Sequence, residues 1–126
     1  MTTFSRFHKI ENMKPENVIV ALGALAQESR LEAFRLLVKR GPEGYTPGDL
    51  AQRLGIPAPT LSFHLKELQR AQLIAARREG RFLHYSANFE TMQAVIDFLT
   101  DKCCTLASTQ CSADCAPVAG AKRRRA

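Results

Sequence analysis

All four cysteines of this chain lie in one C-terminal segment, and their clustering is the sequence feature most directly connected with chemistry. Cys103 and Cys104 are adjacent, and Cys111 and Cys115 follow. Isolated cysteines usually act as small buried hydrophobic residues, but this segment is too polar to form a core of its own. Thiolates are soft ligands, so the segment predicts a binding site for a thiophilic metal or metalloid.

The number of converging thiolates distinguishes the possible ligands. Three thiolates from Cys103, Cys104 and Cys111 favour As(III) or Sb(III), because the lone pair of such a centre occupies the fourth direction. Four thiolates, with Cys115 included, would suit tetrahedral zinc or cadmium, although no C-x-x-C knuckle is present. As(III) is the favoured ligand, and Cd, Zn, Cu(I) or thiol oxidation are the alternatives. Either Cys111 or Cys115 can supply the third sulfur.

A thiol oxidoreductase is the alternative from another class of protein. It would need an activated thiolate, but Cys103 and Cys104 are predicted to end a helix, where the helix dipole does not favour negative charge. Lys102 is the one cation close to them in sequence, and a reactive cysteine usually has a more electropositive environment. We therefore expect the chain not to be an enzyme.

The segment must be positioned by the rest of the chain, in which a helix-turn-helix pattern occupies residues 46–70. Thr46 can cap a first helix that opens with Pro47, because its hydroxyl satisfies an orphan amide and proline loses nothing at the first helical position. Gly55 is predicted to end this helix. The prolines that follow restrict the backbone before them and keep the connection tight.

The second helix of this pattern, residues 59–70, has one apolar face and one face suited to DNA. Leu61, Leu65 and Leu68 recur at helical spacing and predict the buried face. The other side chains are mostly short, polar or basic, as contact with bases in the major groove requires. The predicted DNA-contacting residues of this helix are Pro59, Thr60, Ser62, Phe63, His64 and Lys66.

A basic β-hairpin is predicted after the second helix. Two strand-like runs, residues 73–78 and 81–86, are separated by Glu79-Gly80, which has the turn propensity to join them. His84 in the second run is interpreted as a structural histidine. The arginines near the tip could reach DNA phosphates, and they are Arg77, Arg78 and Arg81. Helices followed by such a hairpin predict a mainly α fold with a β-hairpin wing, a winged helix-turn-helix.

The remaining elements surround this unit. Pro15 is predicted to open an apolar first helix, Ser29 to cap the next helix, and Asn88 to cap a final helix over residues 89–102. The first and last helices carry more apolar surface than a small winged helix can bury. We therefore expect a two-fold homodimer in which these helices pair across the axis, with an interface that includes Ile19, Leu22, Val95 and Leu99.

Length, charge and hydropathy indicate the number of domains, the kind of partner and the location of the protein. A chain of 126 residues predicts one domain over residues 15–102, with an N-terminal arm at 1–14 and a cysteine-containing segment with a disordered basic tail at 103–126. The net charge of +6 suits a polyanionic partner such as double-stranded DNA. No apolar run has the length of a membrane helix, and the N-terminus lacks a secretory signal. We expect a cytoplasmic protein that does not contact membranes.

These motifs resemble the ArsR/SmtB family of winged-helix metalloregulatory repressors over about residues 18–99. The most specific parts of the resemblance are the stretches at 60–68 and 71–74 and the pair His84-Tyr85. The resemblance implies a homodimeric repressor that binds operator DNA, requires no cofactor and is released by an inducer. It also implies control of arsenic-resistance genes, including the repressor's own gene.

The cysteines also resemble one branch of that family. Many arsenic-responsive members carry Cys-Val-Cys on the first helix of the helix-turn-helix, where this chain has residues 46–48 without cysteine. Other members place a cysteine pair and a third cysteine at the end of the final helix, and Cys103, Cys104 and Cys111 resemble that arrangement. Cys115 departs from this three-cysteine pattern.

Overall fold

The computed structural model describes residues 13–107, and within them the chain forms five α-helices and one β-hairpin. The elements follow one another as α1 (Pro15–Leu25), α2 (Glu28–Arg40), a 3-10 turn (Gly41–Glu43), α3 (Pro47–Leu54), α4 (Ala58–Arg70), β1 (Ile74–Glu79), β2 (Phe82–Ala87) and α5 (Phe89–Thr100). This order confirms the predicted winged helix-turn-helix. Most of the predicted N-terminal arm and the predicted basic tail lie outside the described residues.

One apolar core joins the helices to the base of the hairpin. Leucines dominate it, because several helices each place one leucine-bearing face against the centre of the unit. Its fully buried large side chains include Leu37, Leu50, Leu61, Leu68 and Leu73. The face of α4 that was predicted to be buried from its helical spacing is therefore confirmed.

Two of the three predicted helix caps are confirmed, and the third is wrong. The Thr46 hydroxyl accepts a hydrogen bond from the backbone of Asp49, and the side chain of Asn88 accepts one from the backbone of Thr91. Ser29, however, lies inside α2. The cap of α2 is Gln27, whose side-chain oxygen accepts from the Arg30 amide at 2.9 Å. A cap two residues earlier leaves Arg30 in the first turn of α2.

The hairpin turn lies one residue later than expected. Glu79 pairs with Phe82, so the loop is Gly80-Arg81 rather than Glu79-Gly80. Gly80 has a φ of 64°, a left-handed conformation that glycine adopts at little cost. Because the turn sets the register, this shift places His84 rather than Phe82 opposite Arg77.

The hairpin is attached to the helical body at Tyr45. The backbones of Tyr45 and Tyr85 exchange two hydrogen bonds, of 2.9 and 2.8 Å. Gly44, at φ 72°, precedes this bridge, and a Cβ atom there would collide with the carbonyl oxygen of Tyr85. Glycine at position 44 therefore allows the chain before α3 to approach β2 closely.

The last helix ends earlier than its apolar pattern predicts. It stops at Thr100 rather than at residue 102, and turns follow over residues 101–106. Cys103 and Cys104 consequently lie in the turns after α5 and not on its last turn. Among the described residues, no helix is long and apolar enough to cross a membrane.

Candidate DNA-binding surface and thiol cluster

The helix-turn-helix is formed by α3 and α4. Gly55 ends α3 in a left-handed conformation with φ 67°, and the amides of Gly55 and Ile56 donate to the carbonyl oxygen of Ala51. After Pro57, α4 begins at Ala58, one residue before the predicted start. The turn thus holds the two helices at a fixed angle while the leucines of α4 pack into the core.

The outer face of α4 presents the side chains expected to contact DNA. Pro59, Ser62, Phe63 and Lys66 follow one another at helical spacing, and each is exposed, as is Thr60. Phe63 is 56% exposed. Hydroxyls and lysine can bond to base edges, and an apolar ring can contact a thymine methyl group.

His64 does not belong to this outer face. His64 is only 8% exposed, and its Nδ1 atom lies 3.4 Å from a guanidinium nitrogen of Arg30 on α2. The expectation that His64 points toward the groove is therefore wrong. One residue amounts to about 100° of helical rotation, so the neighbour of exposed Phe63 can turn into the interface with α2. Burial, and then the charge of Arg30, lower the pKa of His64 from its usual value of 6.5.

The three wing arginines have different surroundings. Arg78 and Arg81 are exposed, as phosphate contacts require. Arg77 instead donates to the backbone carbonyls of Pro42 and Glu43, in the 3-10 turn. The Arg77 side chain is still 43% exposed, so contact of all three arginines with phosphates stays a prediction. Arg77 differs from the other two in that it also binds the 3-10 turn.

The face of the wing that carries Arg77 also holds two other ionisable groups. Glu79 accepts from Arg77 Nε at 3.1 Å and lies 3.7 Å from Nε2 of His84, which is paired with Arg77 in the register. His84 thus lies beside two charged side chains, but its buried Nδ1 atom has no hydrogen-bond partner within the described residues. Its interpretation as a structural histidine stays a prediction.

The first and last helices expose apolar side chains in this single chain. Ile19 on α1 is 69% exposed and Leu99 on α5 is 59% exposed, and the two helices are neighbours. Leu22 is also exposed, but Val95 packs in the core. Val95 is therefore removed from the expected dimer interface. The exposed set on these two helices includes Ile19, Val20, Leu22, Ile96, Phe98 and Leu99.

The cysteine pair lies at the surface directly after α5. The Sγ atoms of Cys103 and Cys104 are 3.4 Å apart, well beyond a disulfide bond of about 2.05 Å. Lys102 and Cys104 both have left-handed backbones, with φ of 56° and 66°. The hydrogen bond with Cys103, followed by desolvation, raises the pKa of the Cys104 thiol.

Residues 13–107 alone do not bring together three metal-binding side chains of the His, Cys, Asp or Glu type. The predicted ligands Cys111 and Cys115 lie outside the described residues. A three-thiol site at Cys103 and Cys104 would therefore take its third sulfur from beyond residue 107. The structure provides one pair of adjacent thiols on which such a site can be built.

Two contacts of this region were not predicted from the sequence. Arg30 bridges α4 and the end of α1. The guanidinium groups of Arg40 and Arg53 each lie over the ring of Tyr45, 4.8 Å from its centroid. Arginines inside amphipathic helices usually face solvent, so neither contact has a signal in the residue pattern. Both arise from the way in which α2 crosses its neighbours.

A helix-turn-helix followed by a two-stranded wing, with exposed polar residues on α4 and exposed arginines on the hairpin, defines a winged-helix DNA-binding protein. Comparison with known proteins agrees with this class. A family model described as a helix-turn-helix domain matches residues 25–77.

Two sequence relatives are transcriptional regulators. The chain is 37% identical over 54 residues to the transcriptional repressor SdpR of Bacillus subtilis, covering 43% of this chain and 60% of the relative. It is 31% identical over 81 residues to the transcriptional activator HlyU of Vibrio cholerae, covering 64% of this chain and 72% of the relative. The match to SdpR thus spans less than two thirds of that protein.

Two solved structures share the fold. An ArsR-like transcriptional regulator from Rhodococcus sp. RHA1 superposes with a TM-score of 0.61 at 25% identity, covering 67% of this chain and 76% of its own. A homodimeric winged helix-turn-helix DNA-binding domain from Mycobacterium bovis is described as a possible ArsR-family regulator. It superposes with a TM-score of 0.55 at 26% identity, covering 69% of this chain and 81% of its own. The chain belongs to the ArsR family of DNA-binding transcriptional regulators, which are not enzymes.

Proposed function

We propose that this regulator is a homodimeric repressor that binds double-stranded operator DNA and is released when As(III) binds the thiols of its C-terminal segment. The observation that carries the proposal is the 3.4 Å separation of the Cys103 and Cys104 sulfur atoms at the surface after α5. Two soft ligands held this close are suited to one thiophilic centre.

The chemistry of arsenite binding is ligand exchange. Arsenous acid, As(OH)3, exchanges a hydroxyl group for each thiol, and each exchange forms one As–S bond and releases one water. Cys103 and Cys104 would supply two sulfurs, and Cys111 the third, with Cys115 as the alternative. Cys111 is seven residues beyond Cys104, and an extended chain of that length reaches roughly 23–25 Å. The segment is therefore long enough to fold back onto the pair.

The position of the pair suggests how binding would be transmitted. Cys103 follows α5 so closely that its amide donates to the carbonyl oxygen of Thr100 at 3.0 Å. Ligation of Cys111 to the pair would therefore act on the end of α5, which carries exposed apolar residues at the proposed dimer interface. A change in that interface alters the spacing of the two recognition helices. Coupling of this kind is typically about 1 to 3 kcal/mol.

Dimerisation is proposed from the apolar surface of α1 and α5. Large exposed apolar patches are uncommon on monomers and mark interaction sites, and the Mycobacterium bovis domain with this fold is homodimeric. Ile19 and Leu22 on α1 would meet Ile96 and Leu99 across the two-fold axis. Such an isologous contact places two copies of α4 on the same side of the dimer, where two successive major grooves can be reached.

The test is release of bound DNA in the presence of different inducers. The dimer would be bound to fluorescent DNA from upstream of its own gene, and anisotropy followed during titration with arsenite, antimonite, Cd(II), Zn(II), Cu(I) or peroxide. We expect arsenite to release the DNA at the lowest concentration and a variant with all four cysteines changed to serine to stay bound. Release by a soft metal or peroxide, but not by arsenite, would instead support one of the alternative inducers.

A further inference from the structure

A connection between the first helix and the recognition helix passes through one side chain, Arg30. Its Nε atom donates to the backbone carbonyl oxygen of Ala24, at the end of α1, at 2.7 Å. Its Nη1 atom lies 3.4 Å from Nδ1 of His64 on α4. One planar guanidinium thus contacts both a helix of the proposed dimer interface and the helix that carries the groove-facing residues.

We propose that Arg30 is a positioning residue that sets the orientation of α4 relative to α1 through a neutral His64 side chain, and so governs recognition of specific DNA. This proposal rests on the proposed function in one respect, because it takes the outer face of α4 as the surface that contacts the DNA bases.

Both ends of this connection are confined. The first turn of α2 is fixed by Gln27, whose side chain caps the amide of Arg30 itself. At the other end the His64 ring is buried and meets the ring of Phe63 edge-on, with centroids 5.7 Å apart. Because Phe63 is exposed on the DNA-facing side, a rotation of α4 that lengthens the Arg30–His64 contact also moves the groove surface.

The contact requires a particular protonation state. Arginine has no acceptor, so Nδ1 of His64 must accept and its proton must reside on Nε2. A protonated imidazole would place a second cation beside Arg30 in a largely buried site. Glu67, three residues after His64 on α4, pairs with Arg70, and Arg53 of α3 lies over the ring of Tyr45.

Arginine is needed for geometry as well as for charge. Its guanidinium donates in two directions from one rigid plane, whereas lysine has a single flexible ammonium group. Arg30→Lys therefore keeps the charge while removing the simultaneous contact with Ala24 and His64. Arg35→Lys is the matched control, because Arg35 lies on the same helix and is exposed.

The experiment measures the ratio of affinities for operator and for non-operator DNA, using the full-length dimer. Losing a hydrogen bond of ordinary strength predicts that Arg30→Lys lowers this ratio by about tenfold. Arg35→Lys should leave the ratio unchanged, since non-specific affinity depends on total charge. Equal ratios in the two variants would overturn the proposal.

A pH profile supplies a readout that does not depend on the arginine variant folding well. The operator affinity of the wild type should hold down to about pH 6.5 and fall as the pH is lowered further, because the pKa of His64 lies below its usual value of 6.5. His64→Gln keeps a polar side chain but cannot titrate there, and it should remove most of that fall. An identical profile for His64→Gln would contradict the role of neutral His64.

The variant Ser62→Ala tests separately whether the outer face of α4 contacts DNA. Ser62 is exposed on the outer face of α4, and it is not one of the residues that Arg30 contacts, which are Ala24 and His64. This variant should weaken operator binding and retain the wild-type pH profile. If Ser62→Ala binds the operator normally while Arg30→Lys does not, the positioning role stands and the assignment of the contacting face is wrong.

Discussion

The Nη1 atom of Arg77 donates a hydrogen bond to the backbone carbonyl oxygen of Pro42, 3.2 Å away and 35 residues earlier in the chain. A second nitrogen of the same guanidinium donates to the carbonyl oxygen of Glu43. The arginine therefore ties the wing to the 3-10 turn between α2 and α3. The orientation of the wing relative to the helix-turn-helix depends on this contact, in addition to the Tyr45–Tyr85 bridge.

The three wing arginines should consequently fall into two groups when each is changed to alanine. Arg78→Ala and Arg81→Ala should each reduce the slope of log affinity against log salt by about one unit, the amount expected for one lost phosphate contact. Arg77→Ala should lower the free energy of unfolding by about 1 kcal/mol, since its partly exposed hydrogen bonds are individually modest. Salt titrations of DNA binding and urea unfolding measure the two effects. A full unit of slope lost in Arg77→Ala, with unchanged stability, would contradict this division.

Two glycines should respond in opposite ways to alanine. Gly44→Ala should destabilise the fold by about 1–3 kcal/mol, because φ is left-handed there and the new Cβ meets the backbone of Tyr85. Gly48→Ala, inside α3 with open space around it, should stabilise by about 0.5–1 kcal/mol. Thermal or urea unfolding of both variants checks the prediction. Equal effects would show that the Tyr45–Tyr85 bridge is not as close as described.

A charge placed on α1 or α5 should dissociate the dimer. Ile19→Glu and Leu99→Glu would each put a carboxylate into an apolar contact, where an unpaired charge is costly. Phe82→Glu is the control, because Phe82 is also an exposed apolar residue but lies on the wing. Sedimentation at micromolar concentration should show monomers for the first two and dimers for the control. A protein without cysteines should remain dimeric, and a monomer there would mean that the thiols maintain the interface.

Single cysteine variants should separate DNA binding from induction. Cys103→Ser, Cys104→Ser and Cys111→Ser should bind operator normally and stay bound when arsenite is added, because each leaves a weaker two-sulfur site. Cys115→Ser should be affected least. Anisotropy titrations of all four variants test this directly. Normal release by Cys111→Ser, with failure of Cys115→Ser, would assign the third sulfur to Cys115, whereas normal release by every variant would exclude the C-terminal site.

Stability should depend on pH through His64. Its pKa is lowered in the folded protein, so the unfolded chain takes up its proton first as the pH falls below about 6.5. The free energy of unfolding should therefore be fully retained above that pH and decline as the pH drops through the folded pKa. Urea unfolding between pH 7.5 and 5.5 should show a smaller decline for His64→Gln than for the wild type. Parallel curves would contradict the burial of a neutral imidazole.

Local sequence signals were sufficient to predict the elements and their order. Leucines at helical spacing, Thr46 before Pro47, Asn88 at the start of α5 and a glycine in a strand-flanked turn are local signals, and they correctly predicted the helix-turn-helix and the wing. Exposure of Ser62, Phe63 and Lys66 also followed from the periodicity of α4. The adjacency of Cys103 and Cys104 needed no structure at all, and it carries the proposed inducer site.

The tertiary structure was needed to tell which polar side chains are exposed and which hold the elements together. Periodicity places His64 near the edge of the apolar face, and the crossing of α2 over α4 decides that it turns inward to Arg30. The one-residue shift of the hairpin turn moves the strand pairing by two residues, and so places His84 rather than Phe82 opposite Arg77. Helix crossings and strand register arise from packing among residues far apart in sequence, and local patterns do not contain that information.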